Sequence, residues 1–345
     1  MKEITEFLKA NKIFVLILVL LSVIVYGAIL FNGFVSADDL DGYVNNQSLY
    51  NFRENVSKLY INPIIYSLFK ITIGNNAAVL HLYSLLLHII NTVLVLVFVN
   101  TIFGKKIAAI SSLLFAVHPL NTEAVAWFGG NSYLLNAILI FPTLILYSIF
   151  KKSGEKNYFI CSVSFFVLSL IITRSVWLLV VPFIIGVLET FVFEKRVHPK
   201  SIVKICAYFI PGLILFFSLN ALTYRTTELQ TSFELDYTKA VPWLNRLPYT
   251  FFKGTELLIF PKDLSIFHEG EIISTAFYGF MIFTTLAVLA TILLLTKKHR
   301  IIAGLLILII VSIAPTLSPI QVAFFIAERY MYVGSVFFTT LIAIL

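Results

Sequence analysis

Residues 13–31 carry no charged side chain, and similar apolar runs recur to the end of the chain, parted by short basic breaks. A helix needs about 20 apolar residues to cross bilayer hydrocarbon. Backbone in lipid must satisfy its own N–H and C=O groups, and runs of this length do so as helices. Composition agrees, with 59% hydrophobic and 12% charged residues against roughly 25% charged in a soluble domain. The chain therefore reads as an all-α polytopic membrane protein.

The expected crossings are 13–31, 77–103, 107–117, 133–150, 157–173, 176–193, 201–222, 272–295, 301–319 and 330–345, about ten spans in all. Lys9 and Lys12 precede the first and place the N-terminus inside. The breaks Lys105-Lys106, Lys151-Lys152, Lys195-Arg196 and Lys297-Lys298-His299-Arg300 then all fall on the cytoplasmic side. The polar loops 32–76 and 223–271 fall on the other. The net charge of +7 is thus an orientation signal, and no nucleic-acid partner is expected. Two pieces do not fit as crossings: Pro63 to Phe69, and Tyr249 to Phe260 before Pro261. Both read as interfacial, juxtamembrane helices. The first run is too long for a secretory h-region and reads as a retained helix. The last span ends unflanked at Leu345, as in a chain cut from a longer protein. Cys161 and Cys206 sit inside apolar runs and give no disulfide framework.

Polar residues outside the basic breaks gather on the outer side. Asp38, Asp39 and Asp41 put three carboxylates within four positions, in a chain with 18 acidic residues. Adjacent carboxylates repel, so the cluster is a solvated loop or is offset by a cation, a metal or proton chemistry. His118-Pro119 ends one run, and Asn121 or Thr122 can cap the next helix, with Glu123 in its first turn. Capping alone explains that segment; the functional alternative has His118 and Glu123 line the same outer cavity as the acidic loop. Arg174 interrupts two apolar runs and either snorkels to headgroups or pairs with a phosphate. Glu328-Arg329-Tyr330-Met331-Tyr332 opens the last span. Its tyrosines suit an aromatic belt, and its guanidinium suits bidentate phosphate recognition. Lys253, Glu256, His268 and Glu269 read as solvated loop residues. There is no phosphate loop, zinc signature or nucleophile elbow.

Several segments together resemble the bacterial relatives of the transmembrane, TPR-containing O-mannosyltransferases, within the GT-C superfamily of polyprenyl-phosphate-sugar glycosyltransferases. Phe34-Val35 with Asp38-Asp39 and Asn45-Asn46 is similar to the family's first outer loop. Asn62-Pro63-Ile64 and the stretch from His81 to Asn91 resemble the segment after it. Leu114 to Pro119 with Thr122 to Trp127 is the most specific match. Leu257 to Pro261, and Pro319-Ile320-Gln321 with Glu328 to Tyr332, are similar to the later signatures. After Trp127 the family tends to carry a basic residue followed by an acidic one, and Gly129-Gly130-Asn131-Ser132-Tyr133 has neither.

The resemblance implies a single GT-C-type transmembrane domain over residues 1–345, without the family's C-terminal TPR array. It implies an integral protein, of the bacterial plasma membrane, whose active site faces the outside or periplasm. The implied reaction is inverting transfer of a sugar from a polyprenyl-phosphate donor to an acceptor hydroxyl on protein Ser or Thr, a glycan or a lipid. Asp38 or Asp39 is the implied general base, with Asp38 ahead on position. Asp41, His118, Glu123, Arg174, Gln321, Glu328 and Arg329 are the implied substrate-binding set, with Arg329 first and Arg174 second for the lipid phosphate. Some GT-C enzymes use a divalent ion and others do not, so Mg or Mn on Asp38 and Asp39 stays open. Two other classes fit the composition: a flippase for a lipid-linked sugar, and a non-catalytic family member. No internal symmetry of the kind common in transporters is visible. The orientation has its own test. Cysteines placed at Ser36 and Ser153 are expected to react with a membrane-impermeant maleimide from opposite faces of intact vesicles. Reaction of both from one face contradicts it.

Overall fold

A computed structural model describes residues 2–35, 37–57, 61–194, 199–226, 243–266, 268, 274–317, 324 and 326–345. Every regular element among them is helical. Six helices are long and apolar enough to cross a membrane: Lys12–Phe31, Ala77–Phe103, Phe128–Ser153, Lys156–Thr173, Val176–Phe193 and Thr275–Lys298. Ten crossings are not shown. Three of the other four expected spans correspond to the helices Lys105–Val117, Arg300–Ser312 and Tyr332–Ile344, of 13 residues each. At 1.5 Å per residue the first two reach about 20 Å, short of a hydrocarbon core of about 30 Å. The fourth lies in the helix Pro199–Thr226, of 28 residues. One expected span, 301–319, runs past the end of the Arg300–Ser312 helix into a turn at 313–317. The two pieces expected not to cross form the helices Ile61–Ile73 and Trp243–Ile259, the second ending two residues before Pro261.

The chain divides into two compact units, residues 1–174 with 342–345, and residues 175–341. At the centre of the first is Ala77–Phe103, packed on the first span, on Lys105–Val117 and on Asn131–Ser153. The Asn76 side chain caps its start by accepting the Val79 N–H, and Gly104, at φ +86°, follows its end. A buried polar stripe of His81, Ser84, His88 and Asn91 runs down one face at spacings of three and four residues. Such side chains bond across helices where lipid offers no partner. Asn91 Nδ2 donates to Leu134 O at 2.9 Å, and His88 Nε2 lies 3.3 Å from Ala116 O. Two helix starts or ends confirm their sequence signals: Lys151 and Lys152 close Asn131–Ser153 before Gly154, and Arg174, at φ +48°, ends Lys156–Thr173. The end of this unit that holds Lys152 also gathers Lys2, Asn100, Glu155 and Tyr158 around one cavity.

In the second unit, Val180–Val187 and the π-turn Leu188–Phe193 pack on Arg300–Ser312. Arg300 donates to the Thr190 and Glu194 carbonyls that this helix end leaves open. Buried Glu189 pairs with Lys204 at 3.7 Å. Thr275–Lys298 instead exposes Phe277, Phe280, Phe283, Leu286, Leu293 and Leu294, a surface suited to lipid. Close approach within this unit depends on small residues. A Cβ on Gly304 would lie 2.7 Å from Phe191 Cβ, which has no freedom to move aside. Gly304→Ala is therefore expected to cost about 1–3 kcal/mol through overpacking, read as a lowered thermal midpoint in detergent. An unchanged midpoint contradicts this packing.

Candidate functional site

The acidic loop leaves the first span at Phe31 in extended backbone. It then forms one α-turn, Ala37–Asp39, which runs directly into a π-turn, Leu40–Val44. The i→i+5 bond from Asn45 N to Leu40 O, at 2.7 Å, closes the π-turn, a feature that often marks functional sites. The helical geometry separates the three carboxylates. Asp38 and Asp41 are exposed, whereas Asp39 is fully enclosed. Asp39 Oδ1 accepts the Gly129 N–H at 2.9 Å, and Oδ2 accepts the Val35 N–H at 3.4 Å. Burial holds the Asp39 carboxyl above the ordinary carboxylate range. The two N–H bonds and the nearby His81 pull the other way without cancelling it.

Gly129 reaches Asp39 because of the turn that carries it. Trp127 is extended, and Phe128–Gly130 is a single 3₁₀ turn that leads into Asn131. A Cβ on Gly129 would come within 2.7 Å of two atoms of the Trp127 indole, and one on Gly130 within 3.1 Å of Glu123 O. A side chain at Gly129 would therefore meet the Trp127 indole, and one at Gly130 would be tight against the Glu123–Ala124 backbone.

The far side of the loop is held by Lys70, on the Ile61–Ile73 helix. Its buried ammonium donates to Tyr43 O at 3.1 Å, Val44 O at 2.7 Å and Asn75 Oδ1 at 2.5 Å. It also lies over the Tyr43 and Tyr50 rings, 5.1 Å and 5.6 Å from their centroids. Tyr43 donates to Gly74 O at 2.8 Å and packs edge-on against Tyr66 and Phe128. Burial pushes its phenol up to about 12. Lys70 stands alone in an apolar helix 31 residues beyond Asp39; a charged residue inside an apolar run is the signal that could have found it.

His118 and Glu123 belong to the same unit. His118 caps the turn Pro119–Asn121 through Nδ1, which accepts the Leu120 N–H at 3.3 Å, and its carbonyl accepts the Tyr26 hydroxyl at 2.8 Å. Glu123 is buried in the short helix Thr122–Ala126, and Gly130 rests on its carbonyl. Arg174, exposed, ends the Lys156–Thr173 helix.

In the second unit, Glu328 and Arg329 are both buried in a 3₁₀ turn, Glu328–Met331. Glu328 Oε1 accepts the Ser265 N–H at 2.5 Å and faces His268 Nε2 at 3.2 Å. Tyr249 donates to the His268 carbonyl. His268 is therefore a buried partner rather than a solvated loop residue, because an acid 60 positions later folds onto it. Arg329 Nη1 donates to Ile266 O at 3.0 Å, and its guanidinium lies 5.2 Å and 5.0 Å from the Phe324 and Tyr330 centroids. Lys253 and Glu256 pair with each other at 3.0 Å. Gln321 and Glu269 lie outside the described residues.

Among the described residues no three His, Cys, Asp or Glu side chains gather as a metal-binding group. With both Asp39 oxygens facing N–H donors, Asp38 and Asp39 do not form a fitting donor set for Mg or Mn.

The similarity found among known proteins is to protein O-mannosyltransferases. The chain is 35% identical over 101 residues to human protein O-mannosyl-transferase TMTC1, covering 28% of this chain and 11% of that protein. Human TMTC3 is 34% identical over 77 residues, covering 22% of this chain and 8% of that protein, and mouse TMTC3 is 32% identical over 77 residues. The matched stretches thus span about a tenth of these relatives' own length. No family model matches the chain, and no solved structure does.

Asp39 carries a pH signature. Its carboxyl is raised in the folded protein, so the fold binds its proton more tightly than the unfolded chain does. Relative to Asp39→Asn, the parent is expected to gain thermal stability as pH falls from neutral through the raised value towards the ordinary carboxylate range. Parallel midpoints for the two proteins over that window contradict the assignment.

Proposed function

We propose that the protein is an inverting glycosyltransferase of the GT-C type, taking its sugar from a polyprenyl phosphate and passing it to an acceptor hydroxyl at the non-cytoplasmic membrane face. The observation that carries the reading is the division of labour in the acidic loop. Asp39 is buried and bonded to backbone N–H groups, which fixes the turn. Asp38, one residue earlier on that fixed turn, is exposed to whatever enters. The partial similarity to protein O-mannosyltransferases supports the same reaction class.

In the proposed step the Asp38 carboxylate takes the proton of the acceptor hydroxyl as its oxygen attacks the sugar C1. The C1–O bond to the phosphate breaks, and its electron pair leaves on the polyprenyl phosphate, so the configuration at C1 inverts. The departing phosphate gains charge, which a fixed guanidinium offsets. Arg329 is assigned that role, with Arg174 as the second choice; the Ile266 carbonyl and two aromatic rings give Arg329 its fixed orientation. Asp41, His118, Glu123, Gln321 and Glu328 are assigned to the donor sugar and the acceptor. Any dependence on Mg or Mn would show as loss of activity in EDTA that the metal restores.

Transfer from a polyprenyl-phosphate sugar in liposomes tests the reading. Asp38→Asn is expected to be about 10²–10⁴-fold slower, the usual loss for a general base, with its thermal midpoint kept. Arg329→Lys keeps the charge but loses the planar fork, and is expected to slow transfer or weaken donor binding. Full transfer by Asp38→Asn overturns the assignment. Movement of the lipid-linked sugar across the bilayer without transfer replaces the enzyme by a flippase.

A further inference from the structure

His81 is enclosed at 0% exposure near the start of the Ala77–Phe103 helix, and neither the resemblance nor the loop spacing assigns it a role. Its Nε2 lies 3.3 Å from Gly33 O. A carbonyl only accepts, so Nε2 carries the hydrogen and donates. Nδ1 is buried as well and has no hydrogen-bond partner among the described residues. The ring's hydrogen bonding is thus directed at one acceptor, Gly33 O, on the extended segment that leads into the acidic loop. Two residues further on, the Val35 N–H donates to Asp39 Oδ2. Between them Phe34 packs against the cluster of Tyr43, Leu49, Leu80 and Phe128.

We propose that His81 is the positioning residue for the acidic loop: by holding Gly33 O it sets the Val35 N–H on Asp39, and so sets where Asp38 stands. A buried nitrogen left unpaired is a net cost to the fold, and ionisable side chains inside membrane helices mark function. The ring leaves Nδ1 without a partner and makes one hydrogen bond, to the loop. The inference rests on the transferase reading for its consequence in activity, but not for its consequence in loop order.

The experiment uses the full chain in nanodiscs, with His81→Met and His81→Gln. Methionine fills the space and removes both nitrogens, while glutamine retains an N–H donor of similar reach. His81→Met is expected to transfer at least tenfold more slowly through kcat, with the donor KM within about twofold of the parent. Its thermal midpoint is expected to stay at or above the parental value, because the unpaired nitrogen is gone. His81→Gln is expected to recover most of the transfer. Hydrogen exchange of peptides covering residues 32–41 should be faster in His81→Met and near parental in His81→Gln. Parental transfer and parental exchange in His81→Met overturn the proposal, and so does a fall of stability and transfer together in both variants. If the parent itself transfers no sugar, the transferase reading fails. Exchange alone then decides: faster exchange in His81→Met sustains the anchoring, and unchanged exchange ends it.

Discussion

The bond from the Gly129 N–H to Asp39 Oδ1 joins positions 90 residues apart and ties the acidic loop to the turn before the Asn131–Ser153 helix. Much else in that part of the first unit follows from it. A buried carboxylate needs donors, and the donor here is backbone. With Asp39 fixed, the following π-turn presents the Tyr43 and Val44 carbonyls to Lys70. The loop is then held from two helices, by a carboxylate at its start and by an ammonium at its end. The carboxylate accepts backbone N–H groups, and the ammonium donates to two backbone carbonyls and to the Asn75 side chain. Such an arrangement fixes geometry without an ion pair whose desolvation would offset its own attraction.

Stability and site placement divide along the helices. Ala77–Phe103 and Asn131–Ser153 are mostly buried and carry polar groups that bond across helices, as Asn91 does to Leu134. Thr275–Lys298 is apolar outward and contributes a lipid-facing surface. The polar stripe His81, Ser84, His88 and Asn91 therefore serves two ends. His88 and Asn91 join helices, and His81 reaches the loop.

The helical class and the long spans were legible because hydrophobic runs and basic breaks are local signals. The helix ends were not, because composition does not mark where a helix stops; Ser312 ends one in the middle of an apolar run. The acidic cluster was legible from its density. The opposite exposure of Asp38 and Asp39 was not, since neighbouring helical residues point about 100° apart and only packing decides which faces inward. Lys70, Gly129 and His268 were missed for a related reason. Their partners lie 26, 90 and 60 positions away, at Val44, Asp39 and Glu328, and no spacing rule connects them.

The central claim is that Asp39 holds the loop while Asp38 meets the substrate. A cryo-EM structure of the full chain in nanodiscs, bound to a non-transferable polyprenyl-phosphonate sugar, tests it most directly. The account predicts the sugar C1 within reach of a water or acceptor oxygen bonded to the Asp38 carboxylate, with Asp39 still on the Gly129 N–H. A sugar bound against Asp39 with its Gly129 bond broken, or bound away from the acidic loop altogether, would contradict it.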